Sequence, residues 1–239
     1  MSVLFIGMIA VVAVFAGATA SVVGFGIGSL LTPLVAWHYG TDLAVAAVAL
    51  PHLSGSVIRG WRLRESIDRD ILLRFGVLSA SGGLAGAFAF ARFAPETLSR
   101  VLGVLLVVTA IAGLTDWSRR WTPRGGIIWI LGLLSGFFGG VVGNQGGVRA
   151  AAGTRFDLTP MKFVATSTAV GIMIDIVRTP VYLIRTAANF TTLIPVIGIM
   201  LCGVVAGTLL GERVLFGLSR ERFRHVVAIA VGVLGLWLL

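Results

Sequence analysis

The chain has few charged residues, and this shortage excludes a soluble globular protein. Only 12% of the 239 residues are charged, which is about half the share found in a typical soluble domain. By contrast, 57% of the residues are hydrophobic. A soluble core of this length could not bury so much apolar surface. The sequence therefore predicts an integral membrane protein whose outer surface is mostly covered by lipid.

Cysteine and lysine are almost absent, and each occurs once, as Cys202 and Lys162. A single cysteine excludes an intrachain disulfide, and its position in an apolar run predicts a buried structural thiol. The formal charge of +9 comes from arginines that mostly lie in short connections between apolar runs. Basic connections of this kind are typical of the cytoplasmic side of a membrane. The charge therefore does not indicate a nucleic-acid partner.

Reactive and metal-binding clusters are also missing from the sequence. The three histidines, His38, His52 and His225, are scattered, and no H-E-x-x-H or Cys/His cluster accompanies them. Such clusters are the usual signature of a zinc site. No nucleophile is placed with a base. We therefore expect no enzymatic activity, no metal and no cofactor.

What the sequence does contain is eight apolar segments. Most have the ~17–25 residues that a membrane-spanning helix needs. The first is too long for one span, since about 35 helical residues would extend ~52 Å, so it predicts a full helix, a break and a shorter helix ending near His38. No Lys or Arg precedes it, which indicates a first transmembrane helix and not a removed signal. The segments are 3–37, 43–58, 71–91, 98–115, 126–142, 160–177, 190–216 and 223–239.

A glycine-rich interruption occurs twice, each time inside an apolar stretch. Gly17–Gly28 has the sequence GATASVVGFGIG, and Gly136–Gly147 has the sequence GFFGGVVGNQGG. Backbone that leaves a helix inside a membrane must be covered by protein or line a wet cavity. A matched pair of breaks in two halves indicates the binding site of a transporter. Close helix packing is the alternative explanation, and the glycines within 82–86 and 203–207 predict such packing directly.

The repeated break predicts a duplicated architecture. Arg59 and Arg178 align at the same offset as the glycines, and each ends the apolar segment after its break. We expect an all-α integral membrane fold of two modules with about four transmembrane helices each. These modules are residues 1–116 and 117–239, which together form one membrane domain. The broken or re-entrant helices of the two modules are expected to meet near the midplane.

The basic connections predict an orientation. Residues 59–74 and 116–124 are rich in arginine, so both are expected on the cytoplasmic side. Residues 38–42 contain no Lys or Arg and are expected outside. This arrangement places the N-terminus inside. An even number of spans in each module would make the modules parallel, whereas an odd number would make them inverted, and both alternatives stay open.

The two breaks predict an anion site. Glycine leaves backbone N–H groups uncovered, and a helix that restarts after a break directs free N–H groups and its positive dipole end at the cavity. Asn144 and Gln145 add amide donors, and Arg149 offers a forked donor unless it is an ordinary loop charge. The predicted substrate-binding residues are Gly24, Phe25, Gly26, Gly28, Gly143, Asn144, Gln145, Gly146, Gly147, Arg149, Thr166 and Ser167.

Four ionisable residues are candidates for proton coupling or an ion pair. Asp175 and Arg178 lie three apart on a predicted helix and can pair on one face. Arg59 and Arg178 lie near helix ends, where they either extend to the membrane surface or attract an anion. His52 either relays protons or makes a structural hydrogen bond. The hydroxyls of residues 166–168 either line a pore or bind a neighbouring helix.

The first break, Gly17–Gly28, followed by Pro33 and Leu34, resembles the TauE/SafE family of sulfite exporters, also called the sulfonate uptake permease family. The second break, Gly136–Gly147, matches the same pattern, although Ala152 stands where Pro33 would align. The four-plus-four duplication is also similar. The resemblance covers essentially the whole chain.

This resemblance implies a secondary transporter of the inner, cytoplasmic membrane. Its substrates would be small sulfur-containing anions such as sulfite, sulfoacetate or other organosulfonates, moved by alternating access. A passive anion channel is the alternative, and a membrane-embedded enzyme or accessory subunit is a weaker one. The expected partners are a small anionic substrate and membrane lipid. Proton coupling and a homodimer are left open.

Overall fold

The computed structural model of the chain describes residues 2–115, 126–146, 148–149, 156, 158–214 and 220–239. Over these residues the regular secondary structure consists of helices, without a strand. The helices are α1 (Val3–Val23), α2 (Ile27–Tyr39), α3 (Thr41–Arg62), α4 (Arg69–Phe90), α5 (Pro95–Leu114), α6 (Ile127–Val142), α7 (Pro160–Arg185), α8 (Phe190–Val214) and α9 (Arg220–Trp237).

Six helices of the described residues are long and apolar enough to cross a membrane. They are α1, α3, α4, α5, α7 and the apolar stretch Ala187–Gly211, which includes most of α8. Helix α6 and residues His225–Trp237 of α9 are apolar but shorter. The predicted all-α membrane protein is therefore confirmed at this level.

The first apolar segment is interrupted where the glycines predict a break. Helix α1 ends at Gly24, which has φ +88° and donates its N–H to the carbonyl of Ala20. Gly26, with φ +134°, precedes α2. Helix α6 ends in the same way at Gly143, which has φ +74°. These left-handed conformations cost little for glycine and are strained for other residues.

Helices α1 and α2 lie side by side and antiparallel. The ring of Phe5, near the start of α1, lies 4.6 Å from the ring of His38, near the end of α2. The N-terminus and residues 38–42 therefore lie at the same end of the molecule. The prediction that they lie on opposite sides is wrong, because the chain folds back at the first break and α2 returns alongside α1.

The connection between α3 and α4 lies at the other end, which we call the arginine-rich end. It includes Arg64, and Arg69 follows it at the start of α4. The N–H of Asp68 in this connection donates to the hydroxyl of Thr166 near the start of α7. Helices α3 and α7 run antiparallel between the two ends, so that their central polar residues face one another.

Glycines bring two pairs of helices into direct contact. Gly203 and Gly207 seat α8 against α1, and Gly82 and Gly86 seat α4 against α6. At each of these glycines an added Cβ would overlap atoms of the partner helix. The close packing predicted for these glycine patterns is confirmed. Helix α3 also packs on α2, α7 and α8, α7 packs on α4, and α5 packs on α9.

The single cysteine does not lie in the interior. Cys202 is exposed on α8, so the prediction of a buried thiol is wrong. In a membrane protein the lipid-facing surface is as apolar as the core, and an apolar run therefore does not indicate burial.

Two of the predicted features lie outside the described residues. These are the module boundary at residues 116–117 and the site residue Gly147, and Ala152 lies outside them as well.

Candidate functional site

The structure brings the two glycine breaks into contact. A Cβ added to Gly28 would lie 2.5 Å from the carbonyl oxygen of Gly143. The hydroxyl of Ser29, in the first turn of α2, donates to Oδ1 of Asn144 at 3.3 Å. Phe25 packs against Gly146 on the other side of the contact. Backbone of the two breaks can approach this closely only because glycine carries no side chain.

A small cavity of about 20 Å³ lies where the breaks meet. This is room for about one water molecule, so the lining would have to separate to admit a larger solute. The lining residues are Gly24, Phe25, Gly26, Gly28, Ser29, His52, Ser56, Arg59, Gly143, Asn144, Gln145, Gly146, Arg149, Ser167, Thr168 and Gly171.

Nearly all the predicted substrate-binding residues that the structure describes line this cavity, and His52 and Arg59 line it with them. Thr166 does not, because it lies nearer the arginine-rich end and accepts the hydrogen bond from the N–H of Asp68 at 2.9 Å. Asp175 and Arg178 lie behind the lining.

The sequence analysis missed Ser29, Ser56 and Gly171, all of which line the cavity. The hydroxyl of Thr168, expected either to line a pore or to bind a neighbouring helix, does both, since it lines the cavity and accepts from Arg59 of α3. The duplication carried a signal for two of the missed residues. At the offset that relates the two breaks, Gly171 aligns with His52 and Ser56 aligns with Asp175. His52 and Asp175 were already candidate residues, so their counterparts could have been added.

Arg59 reaches the cavity from α3. Its side chain is buried, with 5% of the residue exposed, and its Nε donates to the hydroxyl of Thr168 at 2.7 Å. Its buried Nη1 has no hydrogen-bond partner among the described residues. Arg59 therefore faces the interior and does not extend to the membrane surface.

Arg149 reaches the cavity from the short helical stretch after the second break. It is 6% exposed, so it is not a surface loop charge. One terminal nitrogen donates to the carbonyl oxygen of Ser167 and lies 3.4 Å from the hydroxyl of the same residue. Over the described part of the chain, the buried Nε has no partner.

Two amide side chains of the second break complete the donor set. The side-chain oxygen of Asn144 accepts the hydrogen bond from the hydroxyl of Ser29. The amide nitrogen Nδ2 takes no part in that contact. Gln145 is held through its backbone carbonyl, which accepts from the hydroxyl of Ser135 at 3.0 Å. Neither Nδ2 of Asn144 nor either polar side-chain atom of Gln145 has a hydrogen-bond partner within the described residues.

The predicted ion pair of Asp175 and Arg178 is confirmed. Oδ1 of Asp175 accepts from Nε of Arg178 at 2.9 Å and lies 2.8 Å from Nη2, while Oδ2 lies 2.6 Å from Nδ1 of His52. Arg178 also donates to the carbonyl oxygen of Gly139, and the hydroxyl of Tyr182 donates to that of Gly140 at 2.5 Å. The pair therefore holds the end of α6, where a cation complements the negative helix terminus.

The buried charges around the cavity do not balance among the described residues. Asp175 is the buried carboxylate, and Arg178 is its ion-pair partner. Arg59 and Arg149 are buried without a carboxylate partner there. Isolated buried charges are costly unless an opposite charge compensates them. The arrangement of guanidinium and amide donors suits an oxyanion.

A protein-family model described as sulfite exporter TauE/SafE matches residues 9–238, which is nearly the whole chain. No curated protein matches the chain. No solved structure matches it either.

Proposed function

The chain belongs to the TauE/SafE sulfite exporter family, and we propose that it carries a small sulfur-containing anion through the central cavity. The observation that carries this proposal is the pair of buried guanidinium groups, Arg59 and Arg149, that lack a carboxylate among the described residues. A bound anion would compensate both charges. The family match supports sulfite as the first substrate to test, with organosulfonates next.

The proposed ligands come from both breaks. Arg59 and Arg149 supply the charge, and the free amide nitrogens of Asn144 and Gln145 supply neutral donors. The first turn of α2 directs backbone N–H groups and a positive dipole end toward the same space. An anion with several oxygens can accept from all these groups at once, whereas a cation would find mostly donors.

The helix packing supports a duplication into modules 1–116 and 117–239. Helix α1 packs on α8 as α6 packs on α4, and α3 packs on α8 as α7 packs on α4. In both comparisons a helix of one module packs on a helix of the other, and the corresponding helices have equivalent partners.

The two breaks also differ in direction. The α1–α2 pair begins and ends at the end of the molecule that contains His38. Phe156, which follows the second break, packs on Phe75 between the central cavity and the arginine-rich end. The modules would thus be inverted.

The small size of the cavity supports a carrier more than a channel. An oxyanion of four or more heavy atoms exceeds room for one water, so the lining must open and close around it. Inverted modules that meet at a central site are typical of alternating access. In this mechanism the cavity would open first to one end of the molecule and then to the other.

The distribution of arginine supports an orientation with the arginine-rich end in the cytoplasm. Helix α8 runs in the same direction as α1, because Gly203 meets Ala13 and Gly211 meets Ala18. The end of α8 would then also lie toward the cytoplasmic side. The corresponding location is the cytoplasmic membrane.

We assign proton coupling to His52. Its ring lines the cavity and contacts the carboxylate of Asp175, which in turn binds Arg178. Arg59 lines the same cavity. An anion that enters or leaves would change the charge next to the ring, and a change of protonation could compensate it.

Transport by the purified protein in proteoliposomes tests the function. We expect saturable flux of sulfite, with sulfoacetate and other sulfonates as competitors, and a chloride-only vesicle as the blank. Flux that rises linearly with concentration would favour the channel. If folded protein moved none of these sulfur anions above the blank, the proposal would be wrong.

A further inference from the structure

A second small cavity adjoins the central one and lies toward the arginine-rich end. It also measures about 20 Å³. Its lining is mainly apolar, in contrast to the polar lining of the central cavity. The residues are Ile71, Phe75, Arg149, Phe156, Leu158, Phe163, Thr166, Ser167 and Val170.

The two cavities share a wall. Arg149 and Ser167 line both, and they are joined by the hydrogen bonds from the guanidinium to the carbonyl and hydroxyl oxygens of Ser167. A Cβ added to Gly171 would lie 3.2 Å from Nη1 of Arg149, so α7 leaves only narrow space beside this side chain. An anion held at Arg149 is therefore next to the second cavity.

Two aromatic rings meet at the second cavity. The rings of Phe75 and Phe156 lie edge to face, with centroids 5.7 Å apart. Phe75 is 2% exposed and belongs to a π-helical turn of α4, Leu72–Gly76. Such turns inside α-helices are frequently found at functional sites. A Cβ added to Gly132 of α6 would lie 3.1 Å from the Phe75 ring, so the ring is seated against α6.

The apolar residues around Phe75 are separate from the main core. Phe75, Val170 and Ile174 form their own buried cluster, with Phe156 packed against it. This cluster lies between the central cavity and the arginine-rich end, since Thr166 at its edge binds Asp68 in the connection between α3 and α4. The second cavity therefore leads from Arg149 toward that end.

We propose that Phe75 and Phe156 form an apolar gate between the central cavity and the arginine-rich end. The proposal rests on the transport function proposed above. A constriction lined by apolar side chains excludes water and ions by dewetting until it widens. Displacement of the Phe75 ring, which the π-helical turn carries, widens the second cavity on the far side of Arg149 and Ser167. The anion then leaves Arg149 toward the arginine-rich end.

Cysteine accessibility tests the gate without requiring a substrate. In a Cys202→Ser background, Val170→Cys places a thiol in the wall of the second cavity. Oriented vesicles expose the arginine-rich end to an anionic methanethiosulfonate reagent. We expect Phe75→Ala to increase the rate of thiol modification by about tenfold or more, the factor expected for a modest loss of barrier height. Phe156→Ala should act in the same direction.

Phe88→Ala is the matched control, because Phe88 is an exposed phenylalanine of the same helix, and it should leave the rate unchanged. If thermal unfolding shows that Phe75→Ala is not folded, Phe75→Leu provides the same comparison with a smaller apolar side chain. Unchanged rates in the folded variants of Phe75 and Phe156 would overturn the gate. Faster modification in a protein that moves no sulfur anion would support the gate and reject the proposed substrate.

Discussion

The hydroxyl of Ser29 on α2 donates to Oδ1 of Asn144 at 3.3 Å, and this hydrogen bond joins the two glycine breaks. It also fixes which side of the Asn144 amide accepts, so that Nδ2 is the atom without a partner among the described residues. One break therefore orients a donor of the other toward the shared cavity. Under the proposed function, binding of an anion there would depend on both breaks at once.

Asn144→Asp should strongly reduce anion transport. The substitution replaces the free NH₂ donor by a carboxylate oxygen, and a negative charge then faces the incoming anion. Loss of a hydrogen bond to a charged group corresponds to a decrease of about tenfold to a hundredfold. Sulfite flux in proteoliposomes is the measurement. Asn189→Asp, at an exposed position, is the matched control, and equal losses in both variants would contradict the assigned role.

Arg59→Gln and Arg149→Gln should each weaken the apparent affinity for sulfite, again by about tenfold or more, because each removes a charged donor. Concentration dependence of flux gives this affinity. Arg92→Gln, on the exposed surface, should behave as wild type. An unchanged affinity in both cavity variants would show that neither guanidinium binds the substrate.

Gly28→Ala should impair both folding and transport. The new Cβ would lie 2.5 Å from the carbonyl oxygen of Gly143, and overpacking of this kind typically costs about 1–3 kcal/mol. Thermal unfolding in detergent and sulfite flux report the two effects. Gly7→Ala and Gly198→Ala are controls, since an added Cβ at either position meets no atom within 4 Å. A stable and active Gly28→Ala protein would argue against close contact of the breaks.

Asp175→Asn should lower the unfolding temperature more than any other single change at the site. It leaves Arg178 buried without its carboxylate, and loss of one member of a buried ion pair typically costs about 3–5 kcal/mol. Asp70→Asn, an exposed change near the arginine-rich end, is the control for loss of a carboxylate. Similar unfolding temperatures for the two variants would contradict the structural role of the pair.

His52→Gln should separate anion movement from proton movement. Glutamine keeps a hydrogen-bonding group near Asp175 but does not titrate, so downhill sulfite flux should persist while an imposed pH gradient no longer drives accumulation. His38→Gln, an exposed change at the end of α2, should leave gradient-driven uptake intact. Accumulation that survives in His52→Gln would place the coupling elsewhere.

The breaks could be predicted from the sequence because their cause is local. Gly24 and Gly143 adopt left-handed conformations that favour glycine, and this preference leaves a direct mark in the sequence. The ion pair of Asp175 and Arg178 could also be predicted from the sequence, since a spacing of three residues along a helix brings two side chains to one face.

Other features could not be predicted because they depend on contacts between distant helices. Ser29 joins the cavity only because the two breaks come into contact, where it binds Asn144. The fold-back of α2 onto α1 likewise depends on tertiary packing. It places Phe5 against His38, and the position of the N-terminus followed from it. The exposure of Cys202 could not be predicted for a different reason. An apolar run in the sequence does not show whether a residue faces lipid or the protein core.

The glycine contacts of α1 with α8 and of α4 with α6 have a consequence for assembly. Each contact joins a helix from the first half of the chain to one from the second, with backbones too close to slide freely. The halves are interlocked, so the rigid bodies of a transport cycle would be built from exchanged helices and not from either half. Two separately synthesised fragments should then survive in a cell only when they are produced together.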